Sequence, residues 1–449
     1  MTDLSKKHVL VIGLGISGRA AAKFLLNRHA IVYAVDHNSE LLDRHPEIID
    51  LKNQGLKTHY ESEQLNFKIF DLVVVSPGVP HSNPYYMRAK QEHIEIIGEV
   101  ELACRFIDQP FLAVTGTNGK TTTTLLITHI LNYCGQPACA LGNVGVPLTA
   151  ELDSSEFGLE GNILVVELSS FQLETMHKRV VDTGVILNIT PDHLDRYADM
   201  RAYARAKFNL QKCLKPAANL YLFENTYQEY EDLLEGVQAH TYGYESSSTI
   251  YVDRDGVYLN GQKEFNLPEE YIGLKSHDVE NMLAAYALCK ERGISSEQFL
   301  EALASFKKPS HRLEFVRSFK DVAYYDDSKG TNIDAVIRAV NTLKGDILLI
   351  AGGVDKGAAY TPWIQAFAGR VKCVFVIGQA SNKIKNDLSQ QLPVEECDSL
   401  ESAIKVATTL AKPGQVVLLS PGCSSFDMFR DYAHRGEEFK RIVNALEEH

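Results

Sequence analysis

Residues 113–123, AVTGTNGKTTT, hold the densest chemistry in the chain. Gly116 and Gly119 let a main chain wrap closely round a phosphate, Lys120 brings a cation, and Thr121 brings a hydroxyl of the kind that holds a metal ion. The apolar run 111–114 reads as a strand, and Leu125, Leu126 and Ile130 read as one face of a helix. The N–H groups at such a helix start are aimed at an anion. A strand, a glycine turn and a helix in this order bind nucleotide phosphates. The spacing differs from G-x-x-x-x-G-K-[ST], which would need glycine where this chain has Val114.

Other polar groups gather where apolar runs end. Glu167 closes the run 163–167 and opens ELSSFQLE. A strand-end carboxylate near a phosphate turn is a natural Mg²⁺ ligand, and its plainer alternative is an acid placed at a helix start. Asn188 to Asp195, NITPDHLD, sets His193 between Asp192 and Asp195. Histidine is not a usual Mg²⁺ ligand, so its role there stays open. By pattern alone Lys207, in YARAKF, is an ordinary solvated lysine. Arg312 follows a linker and has the fork geometry to clamp phosphate, the alternative being a surface salt bridge. The strings DDSKGTN (326–332), GGVDKG (352–357) and SPGCSSF (420–426) end three further strands, the layout of a ligand cleft on one sheet edge. GLGISG (13–18), with Asp36 ending the next strand, matches the dinucleotide-binding turn. That motif leaves open NAD, another nucleotide, or tight packing of a helix on a strand.

The elements that must position these groups follow from the alternation of apolar runs and helical patterns. Strands are expected at 8–13, 31–35, 72–75, 163–167, 185–188, 322–325, 347–351, 374–377 and 416–419. Helices are expected at 16–27, 200–213 and 279–292, and a hairpin at 250–259 turning at Asp255-Gly256. Apolar strands alternating with helices imply parallel sheets covered on both faces. The chain's 449 residues exceed one ordinary core. The expected fold is α/β in three domains: a Rossmann-like domain at 1–98, a central P-loop ATPase-like domain with a parallel sheet at 99–309, and a Rossmann-like domain at 310–449. The formal net charge of −13 argues against nucleic acid as the main partner. The eight scattered cysteines form no C-x-x-C pair and read as buried reduced thiols. No apolar run is long enough to span a membrane and no apolar signal core opens the chain, which favours the cytoplasm.

Together the strings TGTNGKTT, ELSSFQLE, DHLD, DDSKGTN and SPGCSSFD resemble, in order and over the whole chain, those of the Mur ligases, ATP-dependent amide-forming enzymes of peptidoglycan precursor synthesis. The match is nearest to the branch that adds D-glutamate to UDP-N-acetylmuramoyl-L-alanine through an acyl phosphate. The resemblance implies that Ile16, Ser17, His37, Asn38, Ser76, Pro77 and Gly78 lie along the UDP group. It implies ATP contacts from Gly116, Thr117, Asn118, Gly119, Lys120, Thr121, Thr122, Asn281, Arg312 and Asp327. Asn143 and Ser169 would line the reaction centre. Thr121, Glu167, His193 and Lys207 would serve two Mg²⁺, with Lys207 as a CO₂-derived carbamate, and Lys120, His193 and Lys207 would act in catalysis. Thr331, Lys356, Ser425 and Phe426 would receive D-glutamate. The chain departs from the family at Asp278 and at His37-Asn38. A monomer is expected. The competing readings are a sibling ligase or a folylpolyglutamate-synthase-like enzyme with another amino acid or acceptor, an NAD-dependent oxidoreductase, and a non-catalytic nucleotide switch.

Overall fold

Three sheets carry the chain in a computed structural model that describes residues 3–153, 161–254, 256–272 and 276–447. The first is fully parallel, in the order Lys57–Tyr60, Ile31–Asp36, His8–Ile12, Leu72–Val75, Ile96–Gly98. Its central strands are apolar at nearly every position because helices cover both faces. Val9, Val11 and Val74 enter one core, while Leu10, Ile12, Val73 and Val75 enter the other. The strand order reverses between His8–Ile12 and Leu72–Val75. The turns that follow those strands, from Gly13 and from Ser76, therefore flank the crevice at the switch point, where ligands of open α/β sheets bind.

The second sheet has nine strands. Phe111–Thr115 lies between Ile163–Glu167 and Val181–Ile186, all parallel. The strand expected at 185–188 thus starts earlier and stops at Ile186, leaving Asn188 in the loop. Beyond Leu214–Phe223, Ala239–Gly243 and Ile250–Asp253, the strands Gly256–Leu259 and Gln262–Asn266 run antiparallel. The hairpin expected at 250–259 is present as the antiparallel pair Ile250–Asp253 and Gly256–Leu259, and it makes an otherwise parallel sheet mixed at one edge. The turn residue Asp255 lies outside the described residues. Helix Lys120–Tyr133 packs on helix His277–Glu291, which is buried over nearly its whole length. The helix expected at 200–213 ends as an α-helix at Phe208 and continues as a 3₁₀ turn, Asn209–Cys213.

The third sheet has the order Glu314–Phe319, Val322–Asp326, Val416–Leu419, Ile347–Gly352, Val371–Ile377, Val394–Glu396, with only the first strand antiparallel. Val322–Asp326, Val416–Leu419 and Ile347–Gly352 are neighbours, so the three polar loops after them leave one edge together. The chain divides into two compact units. One comprises Met1–Ile189 with Ala204–Phe306, and the other Thr190–Tyr203 with Lys307–His449. All eight cysteines are free thiols, four buried and four partly exposed. Among the described residues no helix is long and apolar enough to cross a membrane.

Candidate active site

In the first unit the phosphate turn is braced from three sides. Gly116 and Gly119 have φ of 147° and 89°, in the region that favours glycine. A Cβ on Gly119 would lie 2.2 Å from Asn281 Oδ1, and one on Gly116 would lie 2.7 Å from Leu187 Cβ. Asn281, 5% exposed, accepts from Thr123 Oγ1 at 3.2 Å. Lys120 Nζ donates to the carbonyls of Gly116 and Thr117 at 3.0 and 2.8 Å. Asn188 supplies the third side: its carbonyl accepts Thr117 N at 2.7 Å, its Oδ1 accepts Asn118 N at 2.8 Å, and its Nδ2 donates to Asn118 O at 3.1 Å. The sequence places Asn188 at a strand end but gives no sign of this pairing, which mimics a peptide–peptide ladder with a side-chain amide. Thr117, Thr121 and Thr122 are buried, and Asn118 is half-buried.

Glu167 is level with Val114 on the neighbouring strand and only 2% exposed. Its Oε1 accepts Asn143 Nδ2 at 2.9 Å. Its Oε2 is buried and has no hydrogen-bond partner among the described residues. An orphaned carboxylate oxygen is costly to bury, and an oxygen-seeking divalent cation is a group that satisfies it. Lys207 is 1% exposed, and its Nζ donates to Gly116 O at 2.7 Å. The solvated-lysine reading is thereby corrected: Lys207 lies under the phosphate turn. Tyr203 and Ala204, one turn earlier on the same helix, are buried with it, but nothing in the local pattern marks Lys207 as other than solvated. Ser169 caps the helix Ser170–Leu173 in a capping box with Gln172, a pairing legible as S-x-x-Q.

The residues expected along a UDP group share one cleft of about 850 Å³, lined by Ile16, Ser17, His37, Asn38, Ser76, Pro77 and Gly78. Asn143 lines the same cleft while bonding Glu167. Asp36 accepts Leu14 N at 2.7 Å through Oδ2 and Asn38 N at 2.8 Å through Oδ1. Its carboxylate thus holds the glycine turn in place, which accounts for an acid at the end of that strand without a dinucleotide.

In the second unit Lys356 Nζ donates to Asp192 Oδ1 at 3.1 Å and lies 3.5 Å from Thr331 Oγ1. Asn332 Nδ2 lies 3.5 Å from Asp192 Oδ2. Asp192 thus gathers Lys356 and Asn332, with Thr331 alongside. His193 takes φ 56°, with Nε2 3.7 Å from Asp192 Oδ2 and its ring edge-on to Tyr203. Val354 and Ser424 exchange backbone hydrogen bonds of 2.9 and 3.2 Å, tying the loops of Lys356 and Ser425. Ser425 is buried, whereas Phe426 is 73% exposed. Asp327 accepts Ser420 Oγ at 2.6 Å and Leu313 N at 3.2 Å. Burial raises its carboxyl to about 7, opposed by Ser420 and by the charge of half-buried Arg312. Of the residues given a substrate, metal or catalytic role by the resemblance, His193, Arg312, Asp327, Thr331, Lys356, Ser425 and Phe426 belong to this unit, and the others to the first.

A phosphate turn beside a buried acid, a nucleotide-sized cleft and a third α/β sheet with polar edge loops define an ATP-using ligase architecture. Family models agree: residues 7–98 match the Mur ligase MurD-like N-terminal domain, 114–289 the Mur ligase middle domain, and 311–423 the Mur ligase glutamate ligase domain. The chain belongs to the Mur ligase family. More particularly, it is 52% identical over 440 residues to the UDP-N-acetylmuramoylalanine–D-glutamate ligase of Protochlamydia amoebophila, covering 98% of both chains. It is 39% identical to the enzyme of the same name from Acidobacterium capsulatum, over 99% of this chain and 97% of that one. Among solved structures, MurF ligase from Thermotoga maritima in complex with ADP aligns with a TM-score of 0.62 at 16% identity, over 99% of each chain. UDP-N-acetylmuramate–alanine ligase MurC from the same organism aligns at 0.60 and 20%, over 98% of this chain and 99% of that one. These two likenesses show the shared fold.

Proposed function

We propose that the protein joins D-glutamate to UDP-N-acetylmuramoyl-L-alanine at the expense of ATP, a step of peptidoglycan precursor synthesis. The observation that carries this reading is Asn143, which lines the nucleotide-sized cleft and bonds the acid beside the phosphate turn. It links an acceptor in the cleft to a phosphoryl donor on the turn.

A free carboxylate is a poor acyl donor, because it would have to expel oxide. Attack of the L-alanyl carboxylate on the γ-phosphate breaks its bond to the bridging oxygen, releases ADP and makes an acyl phosphate whose phosphate leaves readily. The amine of D-glutamate then attacks the acyl carbon, and inorganic phosphate departs from the tetrahedral intermediate. All the reactants are anionic, so stabilising charge is the central task. Lys120, released from the two loop carbonyls it bonds, neutralises the transferring phosphate, and Gly116 to Thr122 cradle the rest with Asn281. Thr121 and Glu167 would hold one Mg²⁺, and a second would fall to His193 and to Lys207. Mg²⁺, when bound, would supply positive charge to offset that of the γ-phosphate. As a carbamate, Lys207 would offer oxygen to a cation in place of a repelling ammonium. Ser169 and Asn143 orient the acyl end, and Arg312 and Asp327 contact ATP. Thr331, Lys356, Ser425 and Phe426 receive D-glutamate, with Lys356 exchanging Asp192 for a substrate carboxylate. His193 is the candidate base for the incoming amine. The boundaries 1–98, 99–309 and 310–449 separate acceptor, ATP and amino-acid functions. A cytoplasmic monomer suits these water-borne substrates.

Purified protein given ATP, Mg²⁺, UDP-N-acetylmuramoyl-L-alanine and a panel of amino acids tests this directly. Phosphate release should follow D-glutamate and not L-glutamate, L-alanine or meso-diaminopimelate. Preference for another amino acid would reassign the chain within the family.

A further inference from the structure

Arg435, on the last helix Tyr432–Asn444, is 1% exposed and forms no ion pair among the described residues. Its guanidinium serves main chain and hydroxyl instead. Nε donates to Ser328 Oγ at 2.9 Å, Nη2 to Ser328 O at 2.9 Å, and both Nη1 and Nη2 approach Cys423 O at 3.3 Å. Ser328 Oγ in turn donates to Tyr432 O at 2.8 Å. No carboxylate among the described residues bonds it directly, though the charges of Asp427, Asp326 and Asp327 partly offset the cost of burying a cation; burial lowers this guanidinium to about 10, which leaves it charged at neutral pH. Gly436 lets the helix come this close, since a Cβ there would lie 2.2 Å from His311 Nδ1 and 2.7 Å from Asp326 Oδ2.

The two carbonyls it joins belong to different strand-end loops. Ser328 stands three residues before Thr331, and Cys423 two before Ser425. The second loop is also locked to the third: a Cβ on Gly353 would fall 2.1 Å from Ser424 O. One rigid planar group therefore references the loops of Thr331, Ser425 and Lys356 to one another. We propose that Arg435 is a positioning residue that fixes the spacing of the loops receiving the incoming amino acid, and so sets the affinity for it. Arginine's planar fork can hold two carbonyls and a hydroxyl in fixed relation, whereas a lysine ammonium is a point charge on a flexible stem.

The inference rests on the proposed D-glutamate site, and the test separates the two. Full-length wild type, Arg435→Lys and Ser328→Ala are compared by steady-state kinetics with each substrate varied, alongside thermal melting. Arg435→Lys is expected to raise KM for D-glutamate at least about tenfold, with kcat and KM for ATP within about twofold. Ser328→Ala, which removes the Nε acceptor and the bond to Tyr432 O but keeps both carbonyls on the guanidinium, should raise the same KM by a smaller factor, and it carries the test alone if Arg435→Lys fails to fold. A KM for D-glutamate within about twofold of wild type, or a loss confined to kcat and melting temperature, overturns the positioning role. Wild-type protein that releases no phosphate with D-glutamate defeats the functional reading itself, and this proposal falls with it.

Discussion

Glu167 Oε2 is a buried carboxylate oxygen that no group among the described residues satisfies. Glu167→Gln keeps the shape and the position of the Asn143 contact while removing the charge. Its activity should fall by roughly 10²–10³-fold with a weakened response to Mg²⁺ titration, and its melting temperature should hold or rise, because a neutral amide is cheaper to bury. Unchanged Mg²⁺ dependence would remove Glu167 from the metal site. Lys120→Ala deletes two hydrogen bonds made to its own loop, so little stability should be lost while ATP turnover drops by about 10³-fold. Asp327 makes a pH prediction. Its carboxyl titrates at 3.8 in the unfolded chain and at about 7 in the folded one. Between those values the folded state holds the extra proton, so this group makes stability fall as pH rises from about 4 to about 7 and contributes no slope outside that window. Denaturation midpoints of wild type and Asp327→Asn, measured across that range, should converge towards the acid end and diverge towards neutral pH in favour of the variant.

Elements decide which of these residues meet. The phosphate turn works because a glycine can take φ 89° at position 119 with its missing Cβ only 2.2 Å from Asn281 Oδ1. Gly119→Ala should cost about 1–3 kcal/mol of strain before any contact is counted, and nucleotide protection against thermal melting should vanish. The apolar strands Leu72–Val75, Ile163–Glu167 and Val416–Leu419 were legible as runs buried on both faces. Lys57–Tyr60 and Glu314–Phe319 were not, since these edge strands, KTHY and EFVRSF, are rich in polar residues and half-exposed and show neither an apolar run nor a period of two. In the site, the phosphate turn, Glu167 and the cleft loops were legible because each is a polar string after an apolar run. Asn188's amide ladder, Arg435's clamp and the convergence on Asp192 depend on which strands become neighbours, which no local pattern encodes. Lys207 was not legible from the pattern either: its charge made solvent the default reading, and its burial depends on the phosphate turn it bonds.

At the scale of the molecule, the second unit is discontinuous: Thr190–Tyr203 packs with Lys307–His449. The tie is specific, through Asp192 to Lys356, and through Gly357, whose Cβ would lie 3.0 Å from Asp195 N. A truncation to residues 1–306 should therefore leave 190–203 without its partners and make it the first site of limited proteolysis; protection there equal to that of the full chain would contradict this. The net charge of −13 means that anionic substrates are held by local cations against an adverse background, so KM values for them should rise with added salt. The central claim is that one chain couples ATP cleavage to amide formation with D-glutamate. Mass analysis of a reaction between unlabelled D-glutamate and UDP-N-acetylmuramoyl-L-alanine ¹⁸O-labelled in its alanyl carboxylate tests it most directly. One ¹⁸O should appear in released phosphate for each D-glutamyl product formed. Product without label in phosphate, or ATP cleavage without product, would contradict the account.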